Sequence, residues 1–199
     1  MNLCANLYKL DTKNLKMTHN CCRLYSKKGD QRYYYYNSFK NIKNGKKVTV
    51  IMINPSDANE HLESNTPDNT INNLYTILSK KTVPVKENSS EKYVPISSFE
   101  VINLFSEKDA NPEDIIRKDN NDKLNETILK SVIEKANIII PAWGIEEKFN
   151  KNIKKLIENI KIWCKDKDVM IVVNKYPCHF TTRCTSVNRN PEFIRYEFL

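Results

Sequence analysis

Three asparagines and a histidine stand where apolar runs of this chain end. Asn54-Pro55-Ser56-Asp57 closes the run VTVIMI, and Asn103-Leu104-Phe105 closes EVI. Trp143-Gly144 follows NIIIPA, and Asn174 leads to Tyr176-Pro177-Cys178-His179 after VMIVV. Amides at such places can hold a water or read the hydrogen-bonding edge of a base, and the aromatics can stack. The opposing reading of each asparagine is a turn residue that caps its own loop. Proline cannot donate to a sheet ladder, so Asn54-Pro55 lies just past a strand end.

These residues need a scaffold that brings strand ends together, and the hydrophobic pattern supplies one. Val48–Ile53 reads as a strand. Thr66-Pro67 reads as an N-cap followed by proline at the first helical position, with Ile71, Leu74, Tyr75 and Leu78 at helix spacing beyond it. Residues 81–97 read as a polar excursion with two prolines, Phe99–Phe105 as the next strand, and Asn111-Pro112 as the start of a short helical turn. Residues 121–136 are amphipathic through Leu124, Ile128, Val132 and Ile133. Asn137–Ala142 reads as a third strand, Glu146–Cys164 as a helix, and Asp168–Val173 as a fourth strand.

Strands alternating with helices imply crossover connections and a parallel sheet, and continuous apolar strands suit burial on both faces. The expected architecture is therefore a single three-layer α/β domain with a mainly parallel four-stranded central sheet. An antiparallel amino-terminal hairpin, CCRLYS paired with RYYYYNSF, should flank it. Within the domain, residues 1–47 form the basic hairpin region, 48–182 the core and 183–199 a tail. Ligands of such open sheets gather at the carboxyl ends of the strands.

Charge points to a polyanion. The formal net charge is +8, and residues 1–50 alone carry +9 against −1 for the rest. Bases interleave with aromatics in RLYSKKGDQRYYYYNSFKNIKNGKK, which suits phosphate neutralisation with base stacking. A solvated hairpin with tyrosines alternating between core and surface fits the same string. No apolar run has membrane-spanning length and the amino terminus lacks a signal-peptide core, so a cytoplasmic location and no membrane partner are expected. Six cysteines include the adjacent Cys21-Cys22 and no CxxC pair, which favours reduced thiols. Cys178, His179 and Cys184 match no standard zinc spacing, and no metal or cofactor is expected.

The ordered set MINPSDA, VINLF, NDKLNETI and IIIPAWG resembles an uncharacterised microbial domain family whose members read MLNPS, NLF, ND and AWG. The resemblance covers roughly residues 48–182. More distantly, the set is similar to the uracil-DNA glycosylase superfamily, nearest its mismatch-specific branch with Asn-Pro at the first strand end. That resemblance implies a water-positioning role for Asn54 and a base-reading role for Asn103. It also implies stabilisation of the departing base by His179. The chain departs from the superfamily pattern in Met52 for glycine, in Ser56 after Asn-Pro, in Phe180 after His179, and in lacking a clear counterpart of the phenylalanine that stacks on uracil. The substrate base therefore does not carry over.

The implied activity is a DNA glycosylase acting on a damaged or modified base, in repair or in defence against phage DNA. Asp57 is either the general base, a balance for the cationic sugar, or an Asx-turn residue. Pro55, Ser56, Phe105 and Trp143 are candidate walls of the base pocket, Trp143 having core burial as its other reading. Lys27, Lys28, Arg32, Lys46, Lys47 and Arg183 are candidate phosphate contacts, with the protein a monomer on DNA. Two other classes fit the same residues: a module that binds a modified base without cutting, and an enzyme on free nucleotides or nucleosides.

Overall fold

The computed structural model describes residues 15–18, 23–26, 28, 30–42, 44–55, 69–87, 90–109, 122–172 and 193–198. The chain enters its sheet through three antiparallel strands, β1 (Leu15–Thr18), β2 (Arg23–Ser26) and β3 (Arg32–Ser38). Then come β4 (Lys46–Met52), helix α1 (Asn69–Leu78) and the hairpin β5 (Thr82–Glu87) with β6 (Ser90–Asn103). Helix α2 (Lys123–Lys135) leads to β7 (Ile138–Pro141), and helix α3 (Lys151–Trp163) to β8 (Asp168–Val172) and β9 (Phe193–Arg195).

The strand order is β1-β2-β3-β6-β4-β7-β8-β9, with β5 paired to β6. The four strands β6, β4, β7 and β8 run parallel, as the strand–helix alternation requires. Antiparallel strands extend this core on both sides, so the sheet is mixed and wider than the sequence pattern implies. Helix α1 covers one face, packing Ile71, Leu74 and Leu78 on Val48, Val50, Phe99 and Val101. Helices α2 and α3 cover the other, packing Ile128, Val132, Ile153 and Ile157 around Ile51, Ile102 and Ile139. No helix among the described residues is long and apolar enough to cross a membrane.

Three segments differ from their sequence reading. Residues 82–103 form a hairpin whose second strand, 14 residues long, continues into the central sheet. The prolines there suggest a loop, yet Pro84 lies on β5, which among the described residues pairs with β6 alone, and edge strands tolerate a missing N–H. The helix expected over 146–164 is broken: Asn150 adopts extended backbone and its Oδ1 accepts from Asn152 N and Ile153 N, ending a short 3₁₀ turn (Glu146–Lys148) and starting α3. Phe193–Arg195, read as tail, adds a strand to β8. The tyrosine run also departs from simple alternation, because Tyr33, Tyr34 and Tyr35 are all buried, the first two in the α2/α3 cluster and Tyr35 in the α1 cluster.

One carboxylate joins three of the strands. Glu100 on β6 is fully buried and accepts from Tyr34 Oη of β3 at 2.8 Å and from Thr49 Oγ1 of β4 at 2.6 Å. Lys47 Nζ of β4 lies 2.9 Å from Glu100 Oε1. Removing the acceptor strands two buried hydroxyls and opens a cavity, whereas removing Lys47, a third exposed, leaves Glu100 its two hydroxyl donors. Glu100→Ala should therefore cost about 3 kcal/mol in urea unfolding, and Lys47→Ala clearly less. Equal losses would show that the ion pair, not the hydroxyl bonds, carries the interaction.

Candidate functional site at the carboxyl edge

β4 and β6 are adjacent and parallel, with Met52 opposite Asn103, so their exits lie side by side. The pairing continues beyond the strands: Leu104 N donates to Met52 O at 2.9 Å and Phe105 N to Ile53 O at 2.8 Å. On the far side of β4, Ala142 N donates to Ile51 O at 2.7 Å. Asn54 and Asn103 are thus neighbours at one edge because of register alone. Strand alternation places Asn103 on the α1 face, with Val101 and Met52.

Asn54 is 8% exposed and its amide orientation is fixed. Nδ2 donates to Pro55 O at 2.9 Å and to Asp109 O at 2.8 Å, which uses both hydrogens. Oδ1 is left as the acceptor, with no donor to it among the described residues. Asp109 N also donates to Pro55 O at 3.2 Å, so the exits of β4 and β6 are laced together. Asn103 is 1% exposed, and neither Nδ2 nor Oδ1 has a hydrogen-bond partner among the described residues. A buried amide without partners loses the full desolvation of its polar atoms, so its presence calls for a ligand or water.

Two residues with no role in the sequence reading hold this edge in place. Asp122, N-cap of α2, takes Asn125 N on Oδ1 at 3.0 Å and Ser106 Oγ on Oδ2 at 2.5 Å. Asn125, fully inside, donates from Nδ2 to Asn103 O and Leu104 O, each at 3.0 Å. The first turn of α2 therefore grips the β6 exit by backbone and side chain together. The string NDKLNETI contained both residues, but N-cap asparagines and aspartates are so common that their reach across the fold is invisible without coordinates.

Other expected site residues lie elsewhere. Phe105 and Trp143 are buried among the α2 and α3 side chains, Trp143 stacked on Phe198 at 6.0 Å, so they are core residues and not walls on the Asn103 side. Arg32 stands at this edge but is only 2% exposed, its guanidinium 5.9 Å from the Tyr35 ring centre, and is no surface phosphate contact. Lys47 is engaged by Glu100. Lys46 and Lys47 begin β4 while Asn54 follows its end, a separation of about 23–26 Å at 3.3 Å per residue. Neither belongs to the same pocket as Asn54.

Of the phosphate candidates, Lys28 is exposed in the β2–β3 turn and stays near this edge, where Lys108 N donates to Asp30 O. Pro55 is buried beside Asn54. Ser56, Asp57, His179, Lys27 and Arg183, and the cysteines Cys178 and Cys184, lie outside the described residues. Around the β2–β3 turn, the β6 exit and the start of α2, the described charges are Asp30, Glu107, Asp109, Asp122 and Glu126 against Lys28, Lys108, Lys123 and the buried Arg32. Among the described residues no cluster of histidine, cysteine and carboxylates could hold a metal ion.

A concavity of about 650 Å³ opens at the other edge beside Lys161, Asp168 and Arg195. Arg195–Asp168, Lys161–Glu146 and Lys161–Glu158 are ion pairs there, and Lys165, Lys167 and Glu197 line it as well. Cys164 lines it too, but burial pushes that thiol up to about 12 and keeps it protonated at neutral pH.

Fold and edge together define a three-layer α/β protein with a mixed sheet, its candidate site at the carboxyl end of the parallel core. The chain belongs to the family described as protein of unknown function (DUF1643), whose model matches residues 32–179. No curated protein and no solved structure matches it.

Two measurements probe this edge. An aspartate at position 54 would aim a carboxylate oxygen at two carbonyls in place of two N–H donors, so Asn54→Asp should lower stability by about 2–3 kcal/mol at pH 7. The deficit should shrink toward pH 4 as the acid regains one donor; a deficit independent of pH would argue against this geometry. Tyr33, whose Oη donates to Gln31 at 2.8 Å, has its pKa pushed from 10.0 to about 12 by burial first and then by Asp122 and Asp30. Its unfolded form ionises first on raising the pH, so its contribution is whole below pH 10 and fades between about 10 and 12. Tyr33→Phe should flatten that part of the stability–pH curve, measured by denaturant midpoint.

Proposed function

We propose that this protein is a DNA glycosylase that extrudes a damaged or modified base and hydrolyses its N-glycosidic bond, in repair or in defence against phage DNA. The observation that carries the reading is the pair of buried amides at the exits of two adjacent parallel strands. One, Asn54, has both hydrogens committed and its carbonyl oxygen left over. The other, Asn103, has a donor and an acceptor without partners among the described residues. The first suits holding a water, the second suits a base edge, which always offers donors and acceptors.

In this reading a water held on Asn54 Oδ1 attacks C1′ of the sugar. The C1′–N bond breaks and its electron pair leaves with the base. The water's proton passes to Asp57 or solvent, and His179 donates to the departing base. Asn54 deprotonates nothing; its contribution is position, where a misplacement of about 1 Å can cost a hundredfold in rate. Phosphates on either side of the extruded nucleotide would meet Lys28 and Lys123.

A second reading, binding without cleavage, is favoured by one fact: the two Asn54 hydrogens already serve the fold, which gives that residue full structural employment. The two readings separate in one experiment. Duplexes carrying uracil, several modified bases or phage-type modified DNA are incubated with the protein and treated with alkali. Excision should appear with at least one and fall about 100-fold in Asn54→Ala. Absence of abasic-site cleavage on every substrate ends the glycosylase proposal, and base-dependent binding untouched by Asn54→Ala would establish the second.

A further inference from the structure

We infer that the amino edge of the sheet, opposite Asn54, is a binding surface for a nucleic-acid strand, held through its phosphates and without regard to sequence. Three segments meet there. Lys46 of β4 pairs with Ile96 of β6, and Ile96 N donates to Lys81 O at 3.2 Å, so Lys46 and Lys81 flank one residue. Phe39 N donates to Ser97 O at 2.9 Å, which brings Lys40 to the same stretch of β6. Lys80 closes the turn after α1. Lys40 and Lys80 are exposed, and Lys46 and Lys81 partly so.

The described segments that carry these lysines bring no acid of their own. Residues 38–42, 44–55, 69–85 and 95–99 contain no aspartate or glutamate. Glu100, the nearest acid along β6, is fully buried and engages Lys47. The carboxyl edge, by contrast, holds five acids against three lysines and the buried Arg32 among its described residues. Among the described residues, Lys40, Lys46, Lys80 and Lys81 thus form a basic group on the side away from Asn54.

The arrangement suits a repeating phosphate better than a single anion. The lysines are spread over three segments, and none converges on a buried pocket. An aromatic platform accompanies them: Tyr75 on α1 is 42% exposed and leans edge-on against Phe39, ring centres 5.0 Å apart. Lysines beside an exposed tyrosine match the groove-and-stack design of single-strand binders. A lipid surface fits less well, because membrane docking needs an apolar wedge, and the large exposed side chains described near this patch, Tyr75 and Tyr93, are tyrosines.

This surface acts independently of base excision, so unmodified nucleic acid is the probe. Fluorescence anisotropy with an unmodified single strand of about 20 nucleotides should show binding whose log K falls with log salt. Lys40→Glu, Lys46→Glu and Lys80→Glu together should weaken it at least about tenfold near 50 mM salt and reduce the salt slope by about 2. Tyr75→Ala should lower single-strand affinity about tenfold with the slope unchanged. Circular dichroism checks the fold, and Lys40→Gln with Lys80→Gln gives a milder test should the triple variant misfold. Unchanged affinity in a folded variant overturns the inference. So does a loss produced instead by Lys28→Glu with Lys123→Glu, an absence of binding to any single strand, or binding confined to phosphatidylserine vesicles.

Discussion

The sheet is organised around a carboxylate that water never reaches. Glu100 accepts hydrogen bonds from β3 and β4 while sitting on β6, so its charge fixes three strands with respect to one another. An ion in this position tolerates little sliding, because a shift of one residue would turn Glu100 toward the apolar α1 layer and abandon every partner. The register it protects is the one that sets Met52 against Asn103. The neighbourhood of the two amides at the carboxyl edge is thus a consequence of electrostatics at the middle of the sheet.

Around that register the site is assembled by backbone carbonyls more than by side-chain pairs. Asn54 binds the carbonyls of Pro55 and Asp109, and Asn125 those of Asn103 and Leu104. Amides suit this task because one group supplies two donors without charge. A carboxylate could not replace either, and this explains why the edge is rich in asparagine where other chemistry would favour aspartate. Rigid support of this kind is what a positioning mechanism requires, since such a mechanism depends on distance and not on basicity.

Much of this was legible in the sequence. The runs VTVIMI, NIIIPA and VMIVV announced buried parallel strands, and helix spacing located α1, α2 and α3. Asn54 and Asn103 stood out because they end such runs. The hairpin over 82–103 was hidden by its prolines, and β9 by its three-residue length. The Asp122–Asn125 grip was hidden because a capping residue looks the same whether it serves one helix or a neighbouring strand. Arg32 and Lys47 misled for a related reason: a sequence counts charges but does not say which are already paired or buried. Phe105 and Trp143 followed the right strands yet turned to the face that α2 and α3 fill.

The length of β4 has a metric consequence. From Lys46 to Asn54 the chain advances eight residues at about 3.3 Å each, or about 26 Å. Because α1 closes one face of β4 and α2 and α3 close the other, that span is solid protein, and the two ends of the strand meet solvent as separate surfaces.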